Sequence, residues 1–436
     1  MPHSILKNKS VFFGFLVGLT LFLTCSYSAL VLYQLGGIQD NIILGADTNE
    51  RSESWAYGYG EHNFIHPNLS HFVNSVVRIV ATVLSPAFPD LTKMVLQMRL
   101  ALLVTPLCAM LTTCMVYLIA LTAGVRVLPA LALSLIYGFS ISTIAYGSVP
   151  DHFMISALLL ASGLYLLLLN TRLSDRNHII AWTILAVFTV GITSSNIVPI
   201  IGMFAISEYK RKQPKAIDMI ARVGLIFVRV GVLTIFLWAC FNWIYHGSII
   251  STGHNYGKEL EKRTLSSISV SPIRDAIGFP FIVGQAFFGG APDIVRYIPD
   301  EPHSKLARYE IMVVYPSPLT PFNQTSLLWL IPGLIIGVSL FLGFTAESGK
   351  FKPLTMAVIL IIMFNWLLHS FWGRELFLYS PHWHFASVVG LIPLIRLLPT
   401  GRGTEILIVL LSTSLVVMNY ELWNDILHKI PSFAAY

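Results

Sequence analysis

The stretch Gly45 to Trp55 reads GADTNERSESW, and three carboxylates, Asp47, Glu50 and Glu53, crowd into it just past the first long apolar run. Asp47 follows Ile42-Ile43-Leu44 and Gly45-Ala46 closely, so it is expected near a membrane surface, where partial desolvation raises a carboxylate's basicity. An acid so placed suits removal of a proton from a hydroxyl. Glu53 and Glu61 read as solvated loop residues, because acids gather in non-cytoplasmic loops without setting topology.

Further on, FIHPNLSHF (Phe64 to Phe72) places His66-Pro67 where a helix should begin, since proline suits a first helical turn and biases the residue before it toward extended geometry. His62, His66 and His71 lack a carboxylate or cysteine at metal-ligand spacing and read as turn and helix residues. The short connection YGSVPDHFMIS (Tyr146 to Ser156) holds Asp151 at the edge of an apolar run, where an acid is costly enough to need a partner or a purpose. Helix capping and a site role both fit Asp151, and they are compatible. Cationic candidates are Arg99 in VLQMRLALL, Lys258 in HNYGKEL and Arg374 in FWGRELFLYSPHWHF, with snorkelling or flanking charge as their plainer roles.

These residues must be positioned by membrane helices. Of 436 residues 55% are hydrophobic and only 11% charged, and the mean hydropathy of +0.70 lies beyond that of soluble domains. Apolar runs begin with Val11 to Gln34, read as a retained anchor. They continue at Met94 to Ala123, Leu128 to Tyr146, Phe153 to Asn170, His178 to Ser207, Ile217 to Tyr245, Ser326 to Phe344, Leu354 to Trp372, Trp383 to Leu398 and Glu405 to Leu422. The basic residues at Lys7 and Lys9, Arg126, Arg172 and Arg176, Lys210 to Lys212, Lys350 and Lys352, and Arg396 and Arg402 are expected to be cytoplasmic. A single crossing from His178 to Ser207 would put one basic loop on the wrong side. Thr193-Ser194-Ser195-Asn196 with Pro199 therefore predicts two short helices meeting at a polar apex.

The expected fold is all-α, one integral membrane domain over residues 1–436 with about eleven transmembrane helical segments, the N-terminus inside and the C-terminus outside. Two large outer segments, residues 35–93 and 246–325, complete it. In the first, His66 to Ser85 has the pattern of an amphipathic helix on the membrane surface; in the second, Pro272 to Phe288 is the best interfacial helix. Cys25, Cys108, Cys114 and Cys240 all lie in apolar runs and offer no disulfide framework. The formal charge of +6 is spread over short loops, which argues against nucleic acid and leaves a phosphate-bearing lipid as a partner.

In this order the motifs resemble the GT-C superfamily of membrane glycosyltransferases, in particular the branch of protein O-mannosyltransferases and lipid A aminoarabinose transferases. The matching pieces are Asp47, His66-Pro67-Asn68-Leu69, Arg99-Leu100-Ala101 leading to Tyr117-Leu118, Asp151-His152-Phe153, and Arg374 to Pro381. Thr48 stands where the branch often has a second acid, a place Glu50 could take, and Asn68 replaces a second proline. The resemblance implies transfer of a sugar from a polyprenyl-phosphate carrier to a glycan, lipid or protein acceptor on the outer (periplasmic or luminal) face. Asp47 is then the general base, with Asp151 orienting the acceptor or joining Asp47 around Mg or Mn. Arg99, Lys258 and Arg374 would bind the lipid phosphate, and Glu50 and His66 would belong to the acceptor side. Two other functions remain open: an O-antigen polymerase or ligase using Arg274, Arg296 and His303, and a transporter.

Overall fold

The computed structural model describes residues 3–38, 48–57, 66–169, 173–246, 279, 282–287, 292–295, 310–313, 330–346, 351–371, 379–399 and 401–429. The described chain is helical almost throughout. Its first half comprises α1 (His3–Gln34), α2 (Thr48–Tyr57), α3 (Leu69–Leu84), α4 (Lys93–Leu102), α5 (Val104–Thr122), α6 (Val127–Gly138), α7 (Ile141–Gly147), α8 (His152–Leu169), α9 (Asp175–Ile192), α10 (Ile197–Lys212) and α11 (Ala216–His246). After them come α12 (Leu330–Thr345), α13 (Phe351–Phe371), α14 (Pro381–Val389), α15 (Ile392–Leu397) and α16 (Arg402–Lys429). Among the described residues seven helical stretches, α4 and α5 counting as one, are long and apolar enough to cross a membrane, and an eighth crossing follows if α6 and α7, bent by 57° between Gly138 and Ile141, form one span. The protein is a multi-pass helical membrane protein. Outside the helices, β1 (Pro292–Val295) and β2 (Glu310–Val313) pair antiparallel, with Pro292 opposite Val313.

Local chemistry sets several boundaries. Thr92, Ser140 and Ser174 cap α4, α7 and α9, each side-chain oxygen accepting a backbone N–H three residues on. α1 packs on α5 through small residues: a Cβ on Gly14 would collide with the Tyr117 ring, and one on Gly18 would lie 2.7 Å from Cys114 Sγ. Close approach of backbones is how membrane helices gain contact where lipid is as apolar as they are. For the same reason Phe227, Val228, Val232, Ile235 and Phe236 of α11 are exposed, while Tyr117, Tyr137, Tyr146, Trp182 and Trp383 are buried.

The hairpin expected at Thr193 forms. α9 and α10 flank a 3-10 turn at Ser194–Asn196, and Asp175 at the start of α9 pairs with Arg211 and Lys212 at the end of α10. Thr193 is buried at the apex, its hydroxyl 2.8 Å from that of Ser156 on α8, which supplies the protein surroundings such an apex needs.

Two elements expected on the outer face differ from the sequence pattern. α3 forms as expected, but its polar His71 and Asn74 turn inward while Val76, Ile79 and Val83 are exposed. His71 stacks on Phe241 at 5.3 Å, and Asn74 Nδ2 donates to Trp55 O at 3.0 Å. The buried face of α3 is mixed, His71 and Asn74 lying among Leu69, Val73 and Val77, while Val76, Ile79 and Val83 are left for lipid. The described part of the Pro272–Phe288 candidate, 279 and 282–287, is helical yet buried. Asn419 Nδ2 of α16 donates to Phe287 O at 2.6 Å and holds it there.

Helix ends sort into two groups. At one end lie Arg126 with Glu405 (2.5 Å), Asp175 with Arg211 and Lys212, and Arg396, whose Nη1 donates to Ala123 O at 3.3 Å. At the other lie the α1–α2 junction, where Thr48 Oγ1 donates to Ile38 O at 2.6 Å, and the starts of α3, α8 and α14.

Candidate functional site

Asp151 sits at this second end, immediately before α8, and its carboxylate is 3% exposed. Its Oδ1 accepts the His152 backbone N–H at 2.6 Å, satisfying one of the helix's free donors. His152 Nδ1 also approaches Oδ1, at 2.5 Å, without the alignment of a hydrogen bond. The expected capping role is therefore present, and it fixes the acid in place.

Three more elements bring charge to this carboxylate. Arg51, one turn into α2 and buried, acts on Asp151, His66 and His152 together. α2 turns Thr48, Arg51, Ser52 and Trp55 inward at helical spacing. His66 enters from the turn before α3: its Nδ1 lies 2.7 Å from Ile192 O. A carbonyl can only accept, so Nδ1 carries the proton and Nε2 is left as an acceptor. Asn68 fixes the same turn, its N–H donating to Gly191 O at 2.9 Å. A Cβ on Gly191 would approach Asn68 and Phe72 to 3.1–3.3 Å, so the glycine permits this close seat.

From the late chain, α14 begins at Pro381, well placed in a first turn, and presents His382. The ring centroids of His66 and His152 are 4.1 Å apart, of His152 and His382 5.7 Å, and of His382 and His369 on α13 5.9 Å. Tyr379 stacks on His369 at 3.8 Å, and Phe153 lies between Tyr379 and His382. A chain of imidazoles from four elements thus runs past one buried acid, with a buried guanidinium in electrostatic reach.

Burial pushes the Asp151 carboxyl above the usual carboxylate range, opposed by Arg51, the His152 N–H, His66 and His382. Burial, with His152 and Arg51 adding to it, holds His66 well below the usual imidazole range. Arg51 Nε and both ring nitrogens of His382 are buried with no hydrogen-bond partner. Each such atom costs about 1–3 kcal/mol unless something polar meets it.

Of the candidates read from the sequence, Asp151 and His66 come together here. Asp47, Lys258 and Arg374 lie outside the described residues. Glu50 belongs to the first turn of α2, next to Arg51. Arg99 is exposed on the last turn of α4 and forms no ion pair among the described residues, in keeping with snorkelling. Among the described residues no three His, Cys, Asp or Glu side chains are placed to hold a metal ion. Pairing of Asp47 with Asp151 around Mg or Mn reaches beyond those residues.

Sequence reasoning passed over Arg51, His369 and His382, and held Tyr379 only as part of the segment Arg374 to Pro381. Arg51 was inside the quoted GADTNERSESW, three residues after Thr48 and four before Trp55, a spacing that puts all three on one helix face. The histidines carried no signal, since nothing in their spacing shows that the end of α13 and the start of α14 lie beside α8. No protein-family model and no characterised protein matches this chain.

Proposed function

We propose that the protein is a glycosyltransferase of GT-C type, moving a sugar from a polyprenyl-phosphate carrier to an acceptor hydroxyl on the non-cytoplasmic face of the membrane. The observation that carries the reading is the set of unpartnered polar atoms on Arg51 and His382 around buried Asp151. Apolar helices surround the cluster, so a buried Arg51 Nε with no hydrogen-bond partner has its use when an anion arrives.

In this reading about eleven membrane segments place the basic helix ends in the cytoplasm and the histidine belt outside. Asp47 immediately precedes α2, so the helix that carries Arg51 also starts beside the proposed base. Asp47 takes the acceptor proton, the acceptor oxygen bonds to the anomeric carbon with inversion, and the bond from that carbon to the phosphate oxygen breaks. The carrier phosphate leaves with the electron pair, and Arg51 meets its charge, with Lys258 and Arg374 joining from the later segments. Asp151 orients Arg51 and His66. His66 Nε2 and His382 offer hydrogen bonds to the sugar or acceptor hydroxyls.

The test supplies purified protein with radiolabelled polyprenyl-phosphate sugars and extracted envelope acceptors, comparing it with Asp47→Asn. Loss of labelled product in the variant is expected. Full yield from Asp47→Asn removes the base assignment, and movement of labelled donor with no covalent product favours a transporter.

A further inference from the structure

The other end of the bundle holds a second polar feature that sugar transfer does not use. α9, α10 and α11 enclose a groove of about 460 Å³, lined by Ile179, Phe204, Leu225 and Ile226 and by Lys212, Asp218, Arg222 and Arg229. Arg222 and Arg229 are seven residues apart on α11 and so share a face.

The charges there are not equally matched. Lys212 pairs with Asp175, as does Arg211. Arg222 Nη1 lies 3.1 Å from Glu208 Oε2, and Glu208 Oε1 lies 3.1 Å from His178 Nδ1. Arg229 has no ion pair among the described residues. Asp218 stands three turns earlier on the same helix, about 16 Å along its axis. Arg229 also lies near the middle of the apolar span Ala216–Phe241, roughly 20 Å from the start of α11. Exposed Phe227, Val228 and Val232 surround it, so its neighbours on the outer side are lipid chains. An arginine within a span is costly and calls for a counter-charge that can itself enter the membrane interface. A soluble anion cannot follow it among acyl chains, whereas the phosphate of an anionic lipid arrives with its own.

We propose that this groove is a binding site for an anionic phospholipid, the phosphodiester seated on Arg229 and Arg222 and the acyl chains lying along Ile179 and the exposed Leu225. Basic pockets between membrane helices recognise lipid headgroups by this combination of fixed charge and apolar wall. The proposal is independent of the sugar-transfer reading, because it involves neither Asp47 nor the histidine belt.

The test places the full chain in nanodiscs of phosphatidylcholine alone or of equal parts phosphatidylcholine and phosphatidylglycerol. Thermal unfolding and the lipid retained in native mass spectra are then measured. Phosphatidylglycerol should raise the unfolding midpoint of the native chain, and Arg229→Gln should retain it about fivefold less well and lose most of that gain. Arg229→Leu suits the surrounding lipid and keeps the helix folded, so it should show the same loss with an unchanged or higher midpoint in phosphatidylcholine. Equal retention by native and Arg229 variants overturns the proposal, as does a native midpoint indifferent to phosphatidylglycerol. Inorganic phosphate in the buffer should have no effect; reproduction of the whole gain by it would overturn a lipid as the occupant.

Discussion

The imidazoles of His66 and His152 lie 4.1 Å apart, one held by the carbonyl of Ile192 and the other beside the carboxylate of Asp151. This contact joins the turn before α3 to the turn between α7 and α8, and the segments on either side of it are where the sequence puts its most suggestive acids. Arg51 extends it by setting a buried positive charge within electrostatic reach of both rings and the acid.

Arg51 should matter to turnover more than to folding. If it meets the charge that develops on the leaving phosphate, Arg51→Gln lowers kcat by about a hundred- to a thousandfold, and Arg51→Lys recovers part of that loss. Steady-state rates with a labelled polyprenyl-phosphate sugar, beside tryptophan fluorescence to check the fold, make the comparison. An unchanged rate in Arg51→Gln removes it from the phosphate.

His66 should make the fold acid-sensitive. Its folded-state value is depressed, so below about pH 6.5 the unfolded chain takes up a proton that the folded chain refuses. Stability from this residue is complete above that pH and falls as pH drops toward the folded value, at up to about 1.4 kcal/mol per unit. Asp151, raised by burial, acts the other way: its contribution declines as pH rises from 3.8 toward its folded value. Arg51 and His152 also face His66, so the comparison is made against His66→Asn, which keeps a donor for Ile192 O without titrating. Chemical unfolding between pH 5 and 7 should show a shallower slope for the variant; parallel curves would exclude His66 as the source.

At the basic end, two acids with similar partners should differ sharply. Glu208 is buried between His178 and Arg222, whereas Asp175 holds Arg211 and Lys212 at an exposed corner. The Asp175 carboxyl is held below the usual range chiefly by its hydrogen bond from Lys212, yet solvent and salt screen that pairing. Glu208→Gln should cost about 1–3 kcal/mol because it removes a buried carboxylate faced by His178, which water does not reach, and by the half-exposed Arg222. Asp175→Asn should be nearly silent, and thermal unfolding of both variants in one detergent gives the ranking.

Packing on α1 can be tested with two glycines. Gly14→Val drives a branched side chain into the buried Tyr117 ring and should cost about 1–3 kcal/mol. Gly224 on α11 meets no atom within 4 Å of an added Cβ, so Gly224→Ala should be neutral or gain up to about 1 kcal/mol from helix propensity. Equal midpoints for the two variants would contradict the α1–α5 contact.

The amino-acid sequence by itself determined the helical membrane architecture, because apolar length and the cost of bare backbone in lipid act locally along the chain. It likewise determined the break at Thr193–Asn196, where four polar residues and Pro199 interrupt a run too long and too polar to continue as one helix. Asp151 and His66 were legible for the same reason: each sits at a punctuated helix start, Pro150 before one and Pro67 after the other. What only the tertiary structure decided is company. α2 has no strong apolar face to announce which way Arg51 points, and His71 and Asn74 of α3 are buried beside Leu69, Val73 and Val77 because they found partners there rather than water. His369, Tyr379 and His382 join Asp151 through packing of α13 and α14 against α8. Such contacts depend on how helices far apart in sequence choose neighbours, a property of summed surfaces rather than of any local spacing.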